Sequence, residues 1–243
     1  MTYGKRHLRR FFPSILVVKA DHCYRDTLVH CARRVFEQCR IVSTSSVHEA
    51  AGILAHWEVD LVVSGVAMRD GDIIDLLPRI APMRRRSISI LVVSQRKELR
   101  LLSMLLDLQV TGIFDPSEEG VAALEHALAK VMAKKDYWSP GIRQMLMSSD
   151  HLNRRKTALT RTEELVFAAI GDGSDDVSAA EQLGMHPSAI HSVRRNLHRK
   201  LNIQHRGELV QRAAQYGFIR FTSGGVVRPG FDQLLNRTRR GKN

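Results

Sequence analysis

Residues 159–219 read LTRTEELVFAAIGDGSDDVSAAEQLGMHPSAIHSVRRNLHRKLNIQHRGELVQRAAQYGFI, and one helix within them decides the reading of the chain. Between Ile190 and Leu201 the apolar residues are Ile190, Val193, Leu197 and Leu201, a spacing that keeps them on one side of a 3.6-residue helix. The opposite side carries Ser188, Ser192, Arg195 and Arg199, with His191 at its edge. A helix of this kind is anchored by its back and offers donors and positive charge from its front. Such a face suits the groove of a nucleic-acid duplex.

Signals on either side of this helix frame it. Thr160 followed by Glu163 forms a capping box, each side chain satisfying the other's orphan amide. The helix it starts can turn Leu165, Val166, Ala169 and Ile170 inward and stops at Gly171 and Gly173. A second, short helix begins near Asp175 or Asp176 and ends at Gly184. The central helix starts at Pro187, whose fixed φ suits a first helical position. A fourth spans about 206–216, with Leu209, Val210, Ala213 and Ala214 as an apolar face for core packing or for a second copy of the chain.

The first 135 residues follow a different rhythm. Strand candidates at 14–18, 40–43, 60–64, 87–93 and 110–114 are short, rich in Val, Ile or Leu, and bounded by polar or turn residues. Helical stretches lie between and after them, near 24–36, 46–56, 72–80, 96–107 and 117–134, the last with Val121, Leu124, Leu128 and Val131 at helical spacing. Parallel strands need crossovers, and those crossovers are helices, so five such repeats imply a doubly wound five-stranded parallel α/β sheet covered on both faces. Beyond it the pattern lapses over 136–154, which reads as a linker with a short helix near 143–147 and the start of a basic triplet at Arg154-Arg155-Lys156. After Phe221, Gly224-Gly225, Pro229-Gly230 and the run Arg237, Arg239, Arg240, Lys242 read as a flexible basic tail over 221–243.

Composition agrees with a polyanionic partner. The 243 residues carry a formal net charge of +12. From His151 onward there are 16 Lys and Arg against 8 Asp and Glu, a net of +8; the longer first part has 21 against 17, a net of +4. A generically basic surface would not favour one part so strongly. No stretch approaches the roughly 20 apolar residues of a membrane span, and Pro13 with Ile15 to Val18 fits a first buried strand better than a signal peptide. Three cysteines, Cys23, Cys31 and Cys39, make no dense disulfide framework, so a reducing, cytoplasmic setting is expected. With His22 and His30 they are also candidates for metal or redox sensing, but their spacing of eight is not that of close zinc pairs. No nucleophile–base pair, glycine-rich phosphate loop or metal-ligand cluster stands out. No catalytic residue, metal or cofactor is expected, and the chain does not read as an enzyme.

The segment from about 155 to 220 resembles the LuxR/FixJ-type helix-turn-helix domain. The residues in register include Leu159, Thr160, Glu163, Gly173, Ala180, Leu183, Ile190, Arg194, Asn196, Lys200, Leu201, Arg206, Glu208, Leu209, Ala213 and Gly217. The resemblance implies an all-α four-helix domain with its helix-turn-helix at about 178–198 and the third helix in the major groove. It assigns base contacts to His191, Ser192 and Arg195, and phosphate or flanking contacts to Ser188, Arg194, Arg199 and Lys200. Arginine can read guanine bidentately at O6 and N7, which singles out Arg195. The sequence departs from the family pattern at Thr162 (usually Arg), His186 (usually Ser), Ala189 (usually Thr) and Val193 (usually His). Thr162 removes an expected ion pair, and His186 weakens the expected start of the third helix.

The five repeats before such a domain resemble the receiver domain of response regulators, which accept a phosphoryl group on an aspartate after the third strand. That resemblance places the acidic, Mg²⁺-binding pair on Ala20 and Asp21, the acceptor on Gly65 and the hydroxyl on Ser94, with Asp115 and Pro116 where the lysine would be. The site is therefore degenerate: no carboxylate is left at the acceptor position. Asp70 and Asp72 read as loop residues before a helix. The expectation is a transcriptional regulator that binds double-stranded DNA as a homodimer or as a heterodimer with a related regulator, without phosphorylation. The alternative is an auxiliary subunit that pairs with a phosphorylatable relative.

Overall fold

The computed structural model describes residues 12–80, 88–147, 159–222 and 224–240. The first part alternates β1 (Ser14–Val18), α1 (His22–Val35), β2 (Arg40–Thr44), α2 (Val47–His56), β3 (Leu61–Ser64), α3 (Ile73–Ile80), β4 (Ser89–Val93), α4 (Leu99–Asp107), β5 (Gly112–Phe114) and α5 (Val121–Met132), followed by β6 (Tyr137–Trp138) and α6 (Pro140–Met147). All strands run parallel in the order β2-β1-β3-β4-β5-β6. Side chains alternate across a strand, so the apolar runs feed two cores. Leu16, Val18, Val62, Ile90 and Val92 pack under α2, α3 and α4. Ile15, Val17, Leu61, Val63, Leu91 and Val93 pack under α1 and α5.

The sheet has six strands where the sequence suggested five. The extra one lies in the stretch read as linker: Tyr137 and Trp138 pair with Gly112 and Ile113 of β5. Two residues carry no period, so the strand leaves no pattern of its own. Gly112 makes the pairing possible, because a Cβ there would lie 2.8 Å from the Tyr137 carbonyl oxygen. The helix suspected within the linker is α6, which starts earlier than expected and buries Ile142 in the core. The basic triplet at 154–156 lies outside the described residues.

The second part contains α7 (Arg161–Ile170), α8 (Asp176–Leu183), α9 (Pro187–Leu201) and α10 (Arg206–Gln215), then β7 (Arg220–Thr222), β8 (Gly225–Val227) and α11 (Phe231–Arg240). The reading of 221–243 as a flexible tail is corrected for residues 221–222 and 224–240, while 241–243, with Lys242, lie outside the described residues. Gly224-Gly225 is the bend of an antiparallel hairpin, with Phe221 opposite Val226. Phe231, Leu234 and Leu235 form an apolar helical stripe that joins the core around Phe167 and Ile170. Glycines were read as flexibility where they mark a tight turn.

Candidate nucleic-acid interface

Four helices build this region around α7, whose interior residues Val166, Phe167, Ala169 and Ile170 are fully buried. The Thr160 hydroxyl accepts from the Glu163 amide at 3.3 Å, and the Glu163 carboxylate accepts from the Thr160 amide at 2.7 Å, completing the capping box. Asp175 caps α8 through the Ser178 amide at 2.8 Å. The helix ends at Gly184, whose φ of 62° is a left-handed conformation that costs glycine least. A short turn then leads to Pro187 at the start of α9.

Ile190 and Leu197 of α9 are fully buried, while Ser188, His191, Ser192, Arg195, Arg199 and Lys200 are exposed. The expected two-sided helix is therefore present, and its outward residues lie together. The Ser192 hydroxyl donates back to the Ser188 carbonyl at 2.9 Å, and Arg199 reaches Asn196 Oδ1 at 3.2 Å. Among the described residues Arg195 has no hydrogen-bond or ion-pair partner.

Three of the sequence-assigned contacts are tied into the domain itself. Arg194 gives Nε to Asp176 Oδ1 at 2.7 Å and Nη2 to the Ser174 carbonyl at 2.9 Å, with its side chain 17% exposed. His191 Nδ1 lies 3.2 Å from the other oxygen of Asp176. Lys200 donates to Glu163 at 2.8 Å. Burial works against the Glu163 carboxylate, but Lys200 and the Thr160 amide outweigh it and hold the group below its ordinary range. Thus Glu163 finds a cation from α9 although residue 162 is threonine. The His186 ring replaces a serine cap: its Nδ1 accepts from the Ser188 amide at 3.3 Å and meets the Ser188 hydroxyl at 2.8 Å.

The receiver-like part places Ala20, Asp21, Gly65 and Ser94 in the loops leaving β1, β3 and β4. Asp21 is used as the cap of α1, accepting from the Tyr24 amide at 2.7 Å. Ser94 is buried and accepts from the Arg96 amide at 3.0 Å. Sequence reasoning missed Lys19. Its Cδ lies 2.9 Å and its Nζ 3.2 Å from where a Cβ at Gly65 would stand, so its chain fills the space beside the acceptor position. Burial lowers its pKa, partly offset by Asp21, and its ammonium sits 4.7 Å from the Tyr24 ring centre. A lysine directly after the apolar run Ile15 to Val18 was the available signal. Asp115 is fully buried against Lys97 Nζ at 2.7 Å and the Ser117 hydroxyl at 2.6 Å. Burial pushes that carboxyl up, but Lys97 and Ser117 outweigh it and leave it below its ordinary range.

Among the described residues no three His, Cys, Asp or Glu side chains are grouped to hold a metal ion. Cys31 is buried, Cys23 exposed and Cys39 between the two. No helix among them is long and apolar enough to cross a membrane.

A doubly wound parallel sheet followed by a helical bundle is the fold this chain shares with solved structures of RcsB. RcsB from Salmonella enterica serovar Typhimurium, solved on promoter P1flhDC with the phosphomimetic BeF3⁻, superposes with a TM-score of 0.56 at 19% identity, over 84% of this chain and 99% of that one. The Salmonella typhimurium RcsB response regulator gives 0.54 at 19% identity, over 85% and 99%. A structure of two RcsB dimers bound to two parallel DNAs gives 0.55 at 18% identity, over 84% and 99%. No protein-family model matches the chain, and no curated protein matches it either.

Proposed function

We propose that this chain is a sequence-specific DNA-binding transcription regulator that works without aspartyl phosphorylation, as a homodimer or paired with a related regulator. The single observation that carries the reading is the two-sided α9: Ile190 and Leu197 sealed in the core, and Ser188, Ser192, Arg195 and Arg199 exposed together on the other side. The reading gives Arg195 the guanine edge, with Ser192 and His191 beside it, because Arg195 alone among these cations is uncommitted within its domain. Arg199, Ser188 and the exposed part of Lys200 are assigned to phosphates. Arg194 keeps a smaller role at the duplex, since Asp176 and Ser174 hold it. Two copies would set recognition helices in successive major grooves roughly 34–36 Å apart. Independence from phosphorylation is supported by the missing carboxylate at Gly65 and by Lys19 filling the space beside it.

The test is binding of the purified chain to a genomic fragment pool, with and without Arg195→Ala. A regulator in its own right retains a defined set of sequences, and the variant loses that selectivity. A second reading, an auxiliary subunit, is favoured by the ties of His191, Arg194 and Lys200, which leave fewer groups free for DNA. In that case the chain selects sequences only when a related regulator is added.

A further inference from the structure

We infer that the segment after α10, residues 217–222 and 224–240, is a brace that locks the helix-turn-helix part to the receiver-like part, gripping the latter at the starts of α3 and α4, just after the two loops that leave the degenerate acceptor position. At one end it belongs to the helical core. Arg228 gives Nε to the Ala168 carbonyl at 2.9 Å and Nη2 to Asp172 at 2.6 Å, capping the end of α7, while Phe231, Leu234 and Leu235 pack beside Phe167. The other end grips the receiver-like part. Arg220 reaches both oxygens of the fully buried Asp72, at 3.2 and 3.3 Å. The Gly230 amide donates to Asp75 at 3.1 Å, and Gln233 Nε2 donates to the Ile74 carbonyl at 2.6 Å. In return Arg100 of α4 donates to the carbonyls of Gly217 and Pro229, at 2.9 and 3.0 Å, and lies over the Phe218 ring at 4.4 Å.

Each of these groups would need water if the parts separated. Among the described residues the side chains of Asp72, fully buried, and Arg100, half-buried, make their hydrogen bonds only across to the brace. Their places along the chain matter as well. Asp72 and Asp75 follow the loop from Gly65, and Arg100 follows the loop from Ser94. A change at the strand ends around Gly65 and Ser94 would therefore reach the anchoring residues within a few positions of the chain. The brace converts their position into the position of the helix bundle, with no phosphoryl group required. Among the described residues none of its contacts uses Ser188, Ser192, Arg195 or Arg199, which stay exposed, so it holds the bundle with the α9 face open. It is a strut and not a lid.

Amide exchange on the full chain tests this without reference to DNA. The Gly230 amide reports the brace and the Val92 amide reports the sheet interior. In Arg100→Met with Arg220→Gln, protection of Gly230 is expected to fall at least on the order of tenfold while Val92 keeps its own. Unchanged protection of Gly230 overturns the inference. If that double variant does not fold, Gln233→Ala decides: it should speed Gly230 exchange several-fold, and no change again overturns the brace. The strut assignment rests on the DNA-binding reading and has its own arm, duplex affinity. Breaking the brace should leave or lower it, and a rise would make the brace a lid. A chain that binds no duplex but loses Gly230 protection in the variants defeats the function and keeps the brace.

Discussion

Arg194 and Arg195 are adjacent, yet the structure ties down the first and leaves the second exposed, and substituting each in turn separates fold from the proposed recognition. Arg194→Ala removes two hydrogen bonds, one to the Asp176 carboxylate and one to the Ser174 carbonyl. Bonds to charged groups contribute about 1.5–3 kcal/mol each. The side chains of Arg194 and Asp176 are 17% and 25% exposed, so water recovers part of that loss. A net cost of about 2 kcal/mol follows. With a urea slope of about 2 kcal/mol per molar, the unfolding midpoint should fall by about 1 M. Arg195→Ala breaks no internal contact and should stay within about 0.5 kcal/mol of the parent. Its effect should appear on DNA instead, as a loss of about 1–3 kcal/mol for the preferred duplex, roughly 5- to 150-fold. Urea melts and equilibrium binding of both variants, side by side, measure the contrast. An Arg194→Ala chain as stable as the parent, or an Arg195→Ala chain that melts early, would refute the assignment of clamp and reader.

Other consequences follow from the same geometry. Gly65→Asp should form an ion pair with Lys19 and take up no phosphoryl group from acetyl phosphate, so intact mass should show no added phosphate; phosphorylation of the carboxylate introduced at this position would overturn the view of Lys19 as an occupant. Burial, with Asp72 and Asp232 nearby, pushes Asp75 up to about 6, against the Gly230 amide and Arg100, which pull it down; Arg220 and Arg96 act on the neighbouring Asp72. A raised carboxyl favours the protonated, folded state, so this contribution is full below its unfolded value near 4 and fades as pH rises through 6. Stability of the parent relative to Asp75→Asn should therefore increase from pH 7 to pH 5 in urea melts, and a difference independent of pH would count against it. Phe167, fully buried and 4.8 Å from the Phe218 ring centre, should cost about 3–5 kcal/mol when changed to alanine, enough to leave the bundle largely unfolded by circular dichroism.

The parts of this molecule written in periodic runs were legible in its sequence. SILVV at 14–18 and 89–93 and LVVS at 61–64 gave the buried parallel strands, and the spacing of Ile190 and Leu197 gave the inner side of α9. Pieces too short for a period, or whose partners are distant, were not. β6 is two residues long and exists because Gly112 lets it approach. The hairpin and α11 were hidden behind glycines and a proline, although Phe231, Leu234 and Leu235 already stood at helical spacing. The ties within the site were equally out of reach. Chemistry and the family resemblance singled out Arg195 for bases and set Arg194 and Lys200 at phosphates, and nothing local foretold that the carboxylates of Asp176 and Glu163, from other helices, hold those two. Ion pairs between segments more than a hundred residues apart, such as Asp72 with Arg220, leave no local trace at all.

What α9 touches is the question that matters most. A photoreactive amino acid placed at position 192 of the full chain, irradiated on the duplex it selects, answers it. Adducts should map to base edges in one major groove per half-site. A duplex bound equally well but free of adducts at that position, or adducts scattered without regard to sequence, would contradict the account.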